Sequence, residues 1–512
     1  MKKSLHDRLA GGKRRIARRL DRRNILAEHE RPVFSAAGIR YELAERTRGL
    51  AAGGIGAMPL LVQKVSLAER INERVHVLKR HLPYHESDHV LNIAYNILAG
   101  GTCLEQIELR RNDEVFLDAL GVNSIPDPTT AGDFCRRFGA ADIEALMDAV
   151  HECRLTVWRQ QPAEFFEEAL IDADGTIVET TGECKQGIDI SYNGKWGYHP
   201  LLVSLANTGE ALYLFNRSAN RPSHEGAAGY FDRAAELCRR AGFRKITFRG
   251  DTDFTQTKHL DRWDDGGIGF LFGADATLTA RLEAELLENE DWERLERPPK
   301  YAVKTEPRRR PENVKEQVVI RREFENIRLK SEDVAEFAYS PSACQKTYRM
   351  IVVRKNLSVA RGERVLFPAV RYFFYLTNDW ETPAETLVLK ANQRCNQEKT
   401  IGEHKHEVRS LRAPLDTLES NWAYMVIASL AGTLKIWSAL LLPETGRWKD
   451  KHRREKQKML TMSFSTFRNA FMQMPCQIVK TGRRILYRLM SWTPWQHVFL
   501  RLVERLHGRQ LC

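Results

Sequence analysis

At 512 residues the chain is too long for one ordinary core and favours about three domains, while 43% hydrophobic residues is ordinary for a soluble globular protein. A formal charge of +12 and a pI near 9.2 point to a polyanionic partner, either a nucleic acid or an anionic membrane surface. Nine cysteines without a C-x-x-C pair exclude a zinc ribbon or a disulfide framework and suit a reducing cytoplasm.

Residues 1–30 hold 10 Lys and Arg against 4 Asp and Glu and read as a basic arm, joined to the rest by a Gly- and Ala-rich stretch from Leu50 to Ala57. Met1-Lys2-Lys3-Ser4 has the charge of a signal peptide with no apolar stretch behind it, so secretion is not expected. From Leu60 to about Gln160 apolar residues recur at three and four, with breaks at Gly100-Gly101, Gly121 and Pro126-Asp127-Pro128. That spacing predicts a bundle of short helices, one of them capped by Thr129 or Thr130.

The pattern changes at Phe165. Ala169 to Val178 reads as a strand with a turn or bulge at Gly175, and Leu201 to Leu205 as a second. Ala211 to Phe215 is a third, joined to the second through Asn207-Thr208-Gly209 as a hairpin. Ser223 is placed to cap a helix from Glu225 to Arg240 that ends near Gly242. Lys245 to Arg249 is a fourth strand leading into Gly250-Asp251, followed by a short helix around Lys258 and a fifth strand at Ile268 to Phe272. Three strands, then helix, strand, helix, strand, is the order of a ribonuclease H-like α/β sheet, its first three strands antiparallel and the later ones parallel.

Between about Asn289 and Asn378, strand character at Val318 to Ile320, Tyr348 to Val353 and Tyr372 to Leu376 predicts a β-rich insertion, its strands separated by charged turns such as Arg308-Arg309-Arg310-Pro311. Helical character resumes at Thr382-Pro383-Ala384-Glu385, a capping box with Thr382 at the N-cap. The longest apolar run, Met425 to Leu442, contains Gly432 and Lys435 and reads as a buried core helix rather than a membrane span. Arg447 to Lys458 then places seven Lys and Arg in twelve residues, and Lys480 to Arg488 adds four. Trp492, Trp495, Phe499, Leu502 and Leu506 form an amphipathic stretch, core-facing or dimerising. Residues 409–512 carry 18 Lys and Arg against 6 Asp and Glu, which leaves 51 basic residues against 57 acidic between the two basic ends. A carboxylate-bearing body flanked by phosphate-neutralising arms has this distribution.

Asp172 and Asp174 alternate on one strand and share a face, and Asp251 ends the fourth strand, the neighbour of the first in such a sheet. Carboxylates on adjacent strands inside apolar runs repel each other unless a hard cation lies between them. On the helix beginning at Pro383, Arg394, Glu398 and Lys405 fall within roughly 40° of one another, a stripe about 16 Å long, with Glu403 and Glu407 on the opposite side. The alternative for that stripe is an ordinary i,i+4 salt bridge between Arg394 and Glu398.

The stretches Asp172-Ala173-Asp174-Gly175-Thr176, Gly250-Asp251-Thr252-Asp253-Phe254 and Arg394-x3-Glu398-x6-Lys405 resemble the DDE transposases of bacterial insertion sequences, in particular the cut-and-paste group with a Tyr-x2-Arg-x3-Glu-x6-Lys signature. The gaps, 77 residues from Asp174 to Asp251 and 147 from there to Glu398, agree with it, and Asn193 to Pro200 and Asn220 to Gly226 are similar to one branch of that group. The tyrosine of the signature falls on Ala391, so that ring's contact is absent or supplied by another residue. The layout expected is a basic arm and linker at 1–58, an all-α DNA-binding domain at 59–162, a ribonuclease H-like catalytic domain at 163–288 and 381–442 interrupted by the β-rich insertion at 289–380, and a helical basic C-terminal region at 443–512.

The resemblance implies cleavage of DNA at transposon ends and strand transfer into target DNA, using two Mg2+ ions, with Mn2+ as substitute, held by Asp174, Asp251 and Glu398. Asp172 is the alternative to Asp174 as first ligand, and Arg394 and Lys405 would grip flanking phosphates. The partners implied are double-stranded DNA, both ends and target, and further copies of the chain in a homodimer or higher multimer. No membrane is involved, and the place of action is the bacterial cytoplasm, at the nucleoid. Two other readings are a catalytically inactive DNA-binding relative that regulates, and a ribonuclease H-like nuclease that cleaves without joining.

Overall fold

Ala169, Ile171 and Ala173 are buried in alternation along Glu168–Gly175 (β1), a central strand of a nine-stranded mixed sheet. The computed structural model describes residues 47–508 apart from 82, 299–313, 324, 362–363, 483 and 491. The expected basic arm of residues 1–30 and the Arg308-Arg309-Arg310-Pro311 turn therefore lie outside the described residues. Contacts divide the chain into two compact units, residues 161–402 and residues 1–160 with 403–512.

In the first of these, Leu201–Leu205 (β2) pairs antiparallel with β1 and turns through Gly209, at φ +74°, into Glu210–Phe215 (β3). A left-handed turn position of this kind favours glycine. Ala227–Ala241 (α1) packs Phe231 on Phe248 with ring centroids 4.5 Å apart. It starts from Gly226, at φ +78°, rather than from Ser223, and stops at Gly242, at φ +100°. On the other side of β1, Lys245–Gly250 (β4) runs parallel to it, and Gly269–Ala274 (β5) runs parallel to β4.

The segment expected as an insertion extends the same sheet. Glu293–Arg294 (β6), Glu325–Tyr339 (β7), Tyr348–Arg361 (β8) and Arg364–Thr377 (β9) are consecutively antiparallel, and Phe374 to Thr377 of β9 pairs antiparallel with β5. The full order is β6-β7-β8-β9-β5-β4-β1-β2-β3. Val318 to Ile320, read as a strand, lies instead in the helix Val314–Arg321. Three apolar residues do not distinguish the two periods, and the flanking Lys, Glu, Gln and Arg are good helix formers.

The Thr382 hydroxyl donates to Asp379 at 2.9 Å instead of capping, so Ala384–Asn392 (α2) begins without a side-chain cap. The single helix expected from Pro383 breaks at Gln393-Arg394, and a new helix, Cys395–His406 (α3), follows. Leu387 and Val388 of α2 pack with Leu271, Val334, Ile351 and Val353, which ties the helix to β5, β7 and β8.

The second unit is largely helical, with Leu67–Arg74, Glu86–Leu98, Pro128–Cys135 and Ala140–Trp158 among its helices. Asp127, not Thr129 or Thr130, caps Pro128–Cys135, accepting from the Thr130 amide at 2.8 Å with Pro128 in the first helical position. Leu418–Leu440 (α4) is long and apolar enough to cross a membrane, but 94% of that window is buried in protein, so it is the core helix of this unit. The C-terminal region is not wholly helical: Cys476–Lys480 and Ile485–Leu489 form a hairpin whose first strand also pairs with Gly49–Leu50. Arg484 in the hairpin turn belongs to the basic tract, whose charge hid the alternation of the flanking strands. Helix Gln496–His507 buries Val498, Phe499, Leu502 and Leu506 within the unit and leaves Trp492 exposed, so the amphipathic stripe faces the core.

Candidate active site

Asp172 and Asp174 are two residues apart on β1, and the sheet gives them different partners. Asp172 is in register with Arg249 on β4. The guanidinium donates from Nε to Oδ1 at 2.7 Å and from Nη2 to Oδ2 at 2.8 Å, and its Nη1 donates to the Lys390 carbonyl at 2.7 Å. The two side chains are 1% and 2% exposed. Burial pushes the Asp172 carboxyl up from its ordinary value while Arg249 pulls it back. Both carboxylate oxygens are thus engaged by a fork in a dry interior, a structural pairing.

Asp174 meets Asp251 instead. Asp251 follows β4 directly, and its Oδ1 accepts from the Asp253 amide at 3.1 Å, capping the short turn that follows. Arg394, in the turn between α2 and α3, reaches both acids: Nη1 donates to Asp174 Oδ2 at 3.2 Å, and Nη2 lies 3.7 Å from Asp251 Oδ2. Two acids 77 positions apart are thereby drawn onto one guanidinium. Burial pushes the Asp174 carboxyl up to about 6; Arg394 opposes the rise and the charge of Asp251 adds to it. Asp251 is raised as well, by burial first, against the pull of Arg394.

Glycines let the strand ends approach the turn that carries Asp251. A Cβ at Gly250 would lie 2.5 Å from Phe254 Cβ, and one at Gly273 would lie 3.0 Å from the Thr252 amide nitrogen. The result is an open cleft of about 370 Å³ lined by Asp251, Tyr372, Tyr375, Ala391 and Arg394. Ala391 and Tyr375 are half-buried against the same core cluster.

Glu398 lies in the first turn of α3, four residues past Arg394, exposed and without a hydrogen bond or ion pair among the described residues. Its neighbour Gln397 is buried, donates to the Leu202 carbonyl at 3.1 Å and accepts from the Ser204 hydroxyl. Leu202 is the register partner of Asp174, so Gln397 fastens α3 to the strand beside that acid. Among the described residues no group of three His, Cys, Asp or Glu stands ready to hold a metal ion. Two of the three expected acids are together, and the third is one helical turn beyond the arginine that joins them. Lys405, partly buried, is in the last turn of α3 and belongs to the helical unit.

Arg249 and Gln397 were not singled out from sequence. An arginine inside a strand and a glutamine at the start of a polar helix carry no pattern of their own; only the cross-strand register shows what they hold. As a donor set, Asp174 and Asp251 are all oxygen, the first mostly and the second partly buried, and mutually repulsive, which fits a hard divalent cation between them. Arg394 supplies the positive charge in that place here.

The family model described as Transposase DDE domain group 1 matches residues 50–510. None of the curated proteins matches. Among solved structures, the cryo-EM structure of the piggyBac transposase synaptic complex with hairpin DNA is similar at 11% sequence identity, covering 82% of this chain and 82% of that one with a TM-score of 0.35.

Proposed function

The chain belongs to the transposase DDE domain family, group 1, and from that premise we propose that it cleaves DNA at transposon ends and transfers them into target DNA, with Asp174, Asp251 and Glu398 holding two Mg2+ ions and Mn2+ as a substitute. The observation that carries the reading is the convergence of Asp174 and Asp251 on the Arg394 guanidinium at 3.2 and 3.7 Å. The strand order β5-β4-β1-β2-β3, with β1 to β3 antiparallel and β4 and β5 parallel, supports a ribonuclease H-like catalytic core to which the β7–β9 meander is added. The helical unit is then the DNA-binding part, and a homodimer or higher multimer on DNA in the bacterial cytoplasm is the assembly this reading favours.

When bound, such ions activate the attacking oxygen and stabilise the leaving oxygen of an in-line displacement. The chain's own residues do the rest. Asp174 is ionised at neutral pH, above its value of about 6, and so is available as a ligand. Arg394 leaves the acids for a DNA phosphate, which its planar fork fits in the same way. Glu398 faces solvent and gives up no partner in turning towards the acids. Lys405 contacts a flanking phosphate as a point charge. Asp172 remains the partner of Arg249, because both of its oxygens are engaged. Tyr375, beside Ala391 in the cleft, is placed to supply the ring contact that position 391 lacks.

Incubating the full-length protein and Mg2+ with DNA bearing the element's ends and a target plasmid tests the reading. Joined products are expected. Cleavage without joining would favour the nuclease reading, and binding without cleavage the inactive regulator.

A further inference from the structure

In the helical unit, the loop after Leu67–Arg74 and the helices Glu86–Leu98 and Pro128–Cys135 enclose an open pocket of about 440 Å³. Three cations line it: Lys79 and Arg80 from the loop, and Arg137 just beyond Pro128–Cys135. All three are exposed, and none makes an ion pair among the described residues. Asp133, an acid on the same wall, is taken by Arg136 at 2.9 Å.

His89 forms part of the wall and is 4% exposed, its ring stacked on Phe134 with centroids 4.5 Å apart. Its Nδ1 is buried without a hydrogen-bond partner. Enclosed in this way, the ring nitrogen is out of reach of an outside atom, and the histidine braces the wall through its stack on Phe134. Burial holds the ring below its ordinary pKa, Arg137 adding to the effect against Asp88, so the imidazole is neutral and adds no charge to the wall.

We propose that this pocket seats the phosphate backbone of DNA, with Lys79, Arg80 and Arg137 neutralising consecutive phosphates. The inference rests on reading the chain as a DNA-acting enzyme. A polymer is preferred to a free ion because the pocket is open and much larger than one phosphate, and its three uncompensated cations exceed the charge of one phosphodiester.

The test is the affinity of full-length protein for a random-sequence duplex across a series of KCl concentrations. The Lys79→Gln, Arg80→Gln, Arg137→Gln triple variant should lower the slope of log affinity against log salt by about two to three and weaken binding at least about tenfold at physiological salt. Its melting temperature should match wild type, because the cations are exposed. Steep wild-type salt dependence that the triple variant retains in full would overturn the pocket and leave the DNA-acting reading standing. Wild-type protein that binds no duplex even at low salt would overturn both. Thermal stabilisation by inorganic phosphate that the triple variant loses, with its DNA slope intact, would make this a free-anion site and overturn the proposal as well.

Discussion

Asp172 and Asp174 are the same residue type on the same strand, and what separates them is which arginine each meets. Asp172→Asn should leave Arg249 buried and half-paired and cost about 3–5 kcal/mol of stability in denaturant unfolding. Asp174→Asn removes a carboxylate whose charged form is disfavoured by burial, so it should unfold no more readily than wild type while cleavage is lost. The reverse pattern would exchange the two roles. The pH dependence follows from the same residue. With a folded value of about 6 above an unfolded value near 4, the native state binds the extra proton, so the stability this group contributes is present below about pH 4 and is lost as pH rises through about 6, by about 3 kcal/mol. Metal affinity should run the other way, rising from pH 5 to 7 as the proton leaves, which Mn2+ titration of the DNA-free protein reads directly. Asp251→Ala and Glu398→Ala should abolish cleavage and keep end binding; normal cutting by either variant would remove that acid from the site.

At the scale of elements, the break between α2 and α3 decides the geometry of the site. A continuous helix would have placed Arg394 and Glu398 on one stripe; the turn at Gln393-Arg394 instead carries the guanidinium onto Asp174 and Asp251 while Gln397 anchors the start of α3. If Arg394 holds the place of a cation, Arg394→Gln should bind Mn2+ severalfold more tightly without DNA, since no guanidinium has to be displaced. Weaker or unchanged binding would show that the arginine is not in competition. The other end of α3 is held by His404, buried in hydrogen bond with the Ser410 hydroxyl at 2.7 Å. Burial first, and the charge of Lys435 second, push it down to about 4. The unfolded chain takes up this proton near pH 6.5 and the native chain does not, so stability is intact above that value and falls by about 3 kcal/mol as pH drops to about 4. His404→Asn should flatten that window in chemical unfolding; because the contribution of Asp174 has the opposite sign there, the two variants separate the effects.

At the scale of the whole molecule, the β7–β9 meander shares its sheet and its apolar core with β5 and α2. Deleting residues 289–380 should therefore unpair the β5 edge, uncover Leu271, Leu387 and Val388, and yield protein that aggregates instead of melting cooperatively. A deletion variant that melted near the parent temperature would make the meander separable. Much of this architecture was legible beforehand because it rests on short-range patterns: alternation at Ala169, Ile171 and Ala173, the glycine stop at Gly242, the long apolar run within α4. The misreadings were also local, where Asp379 competed for the Thr382 hydroxyl and where Val318 to Ile320 was too short to show a period. Which acid is structural was beyond any such pattern, since Asp172 and Asp174 differ only through Arg249, 77 residues from the first, and Arg394, 220 from the second. The sequence by itself determined which segments alternate, which coil, and which acids stand at strand ends, because those follow from neighbours a few bonds away. The tertiary structure alone decided which carboxylate is buried against which guanidinium, because pairing across strands and turns depends on register and helix breaks set by the packing of the whole sheet.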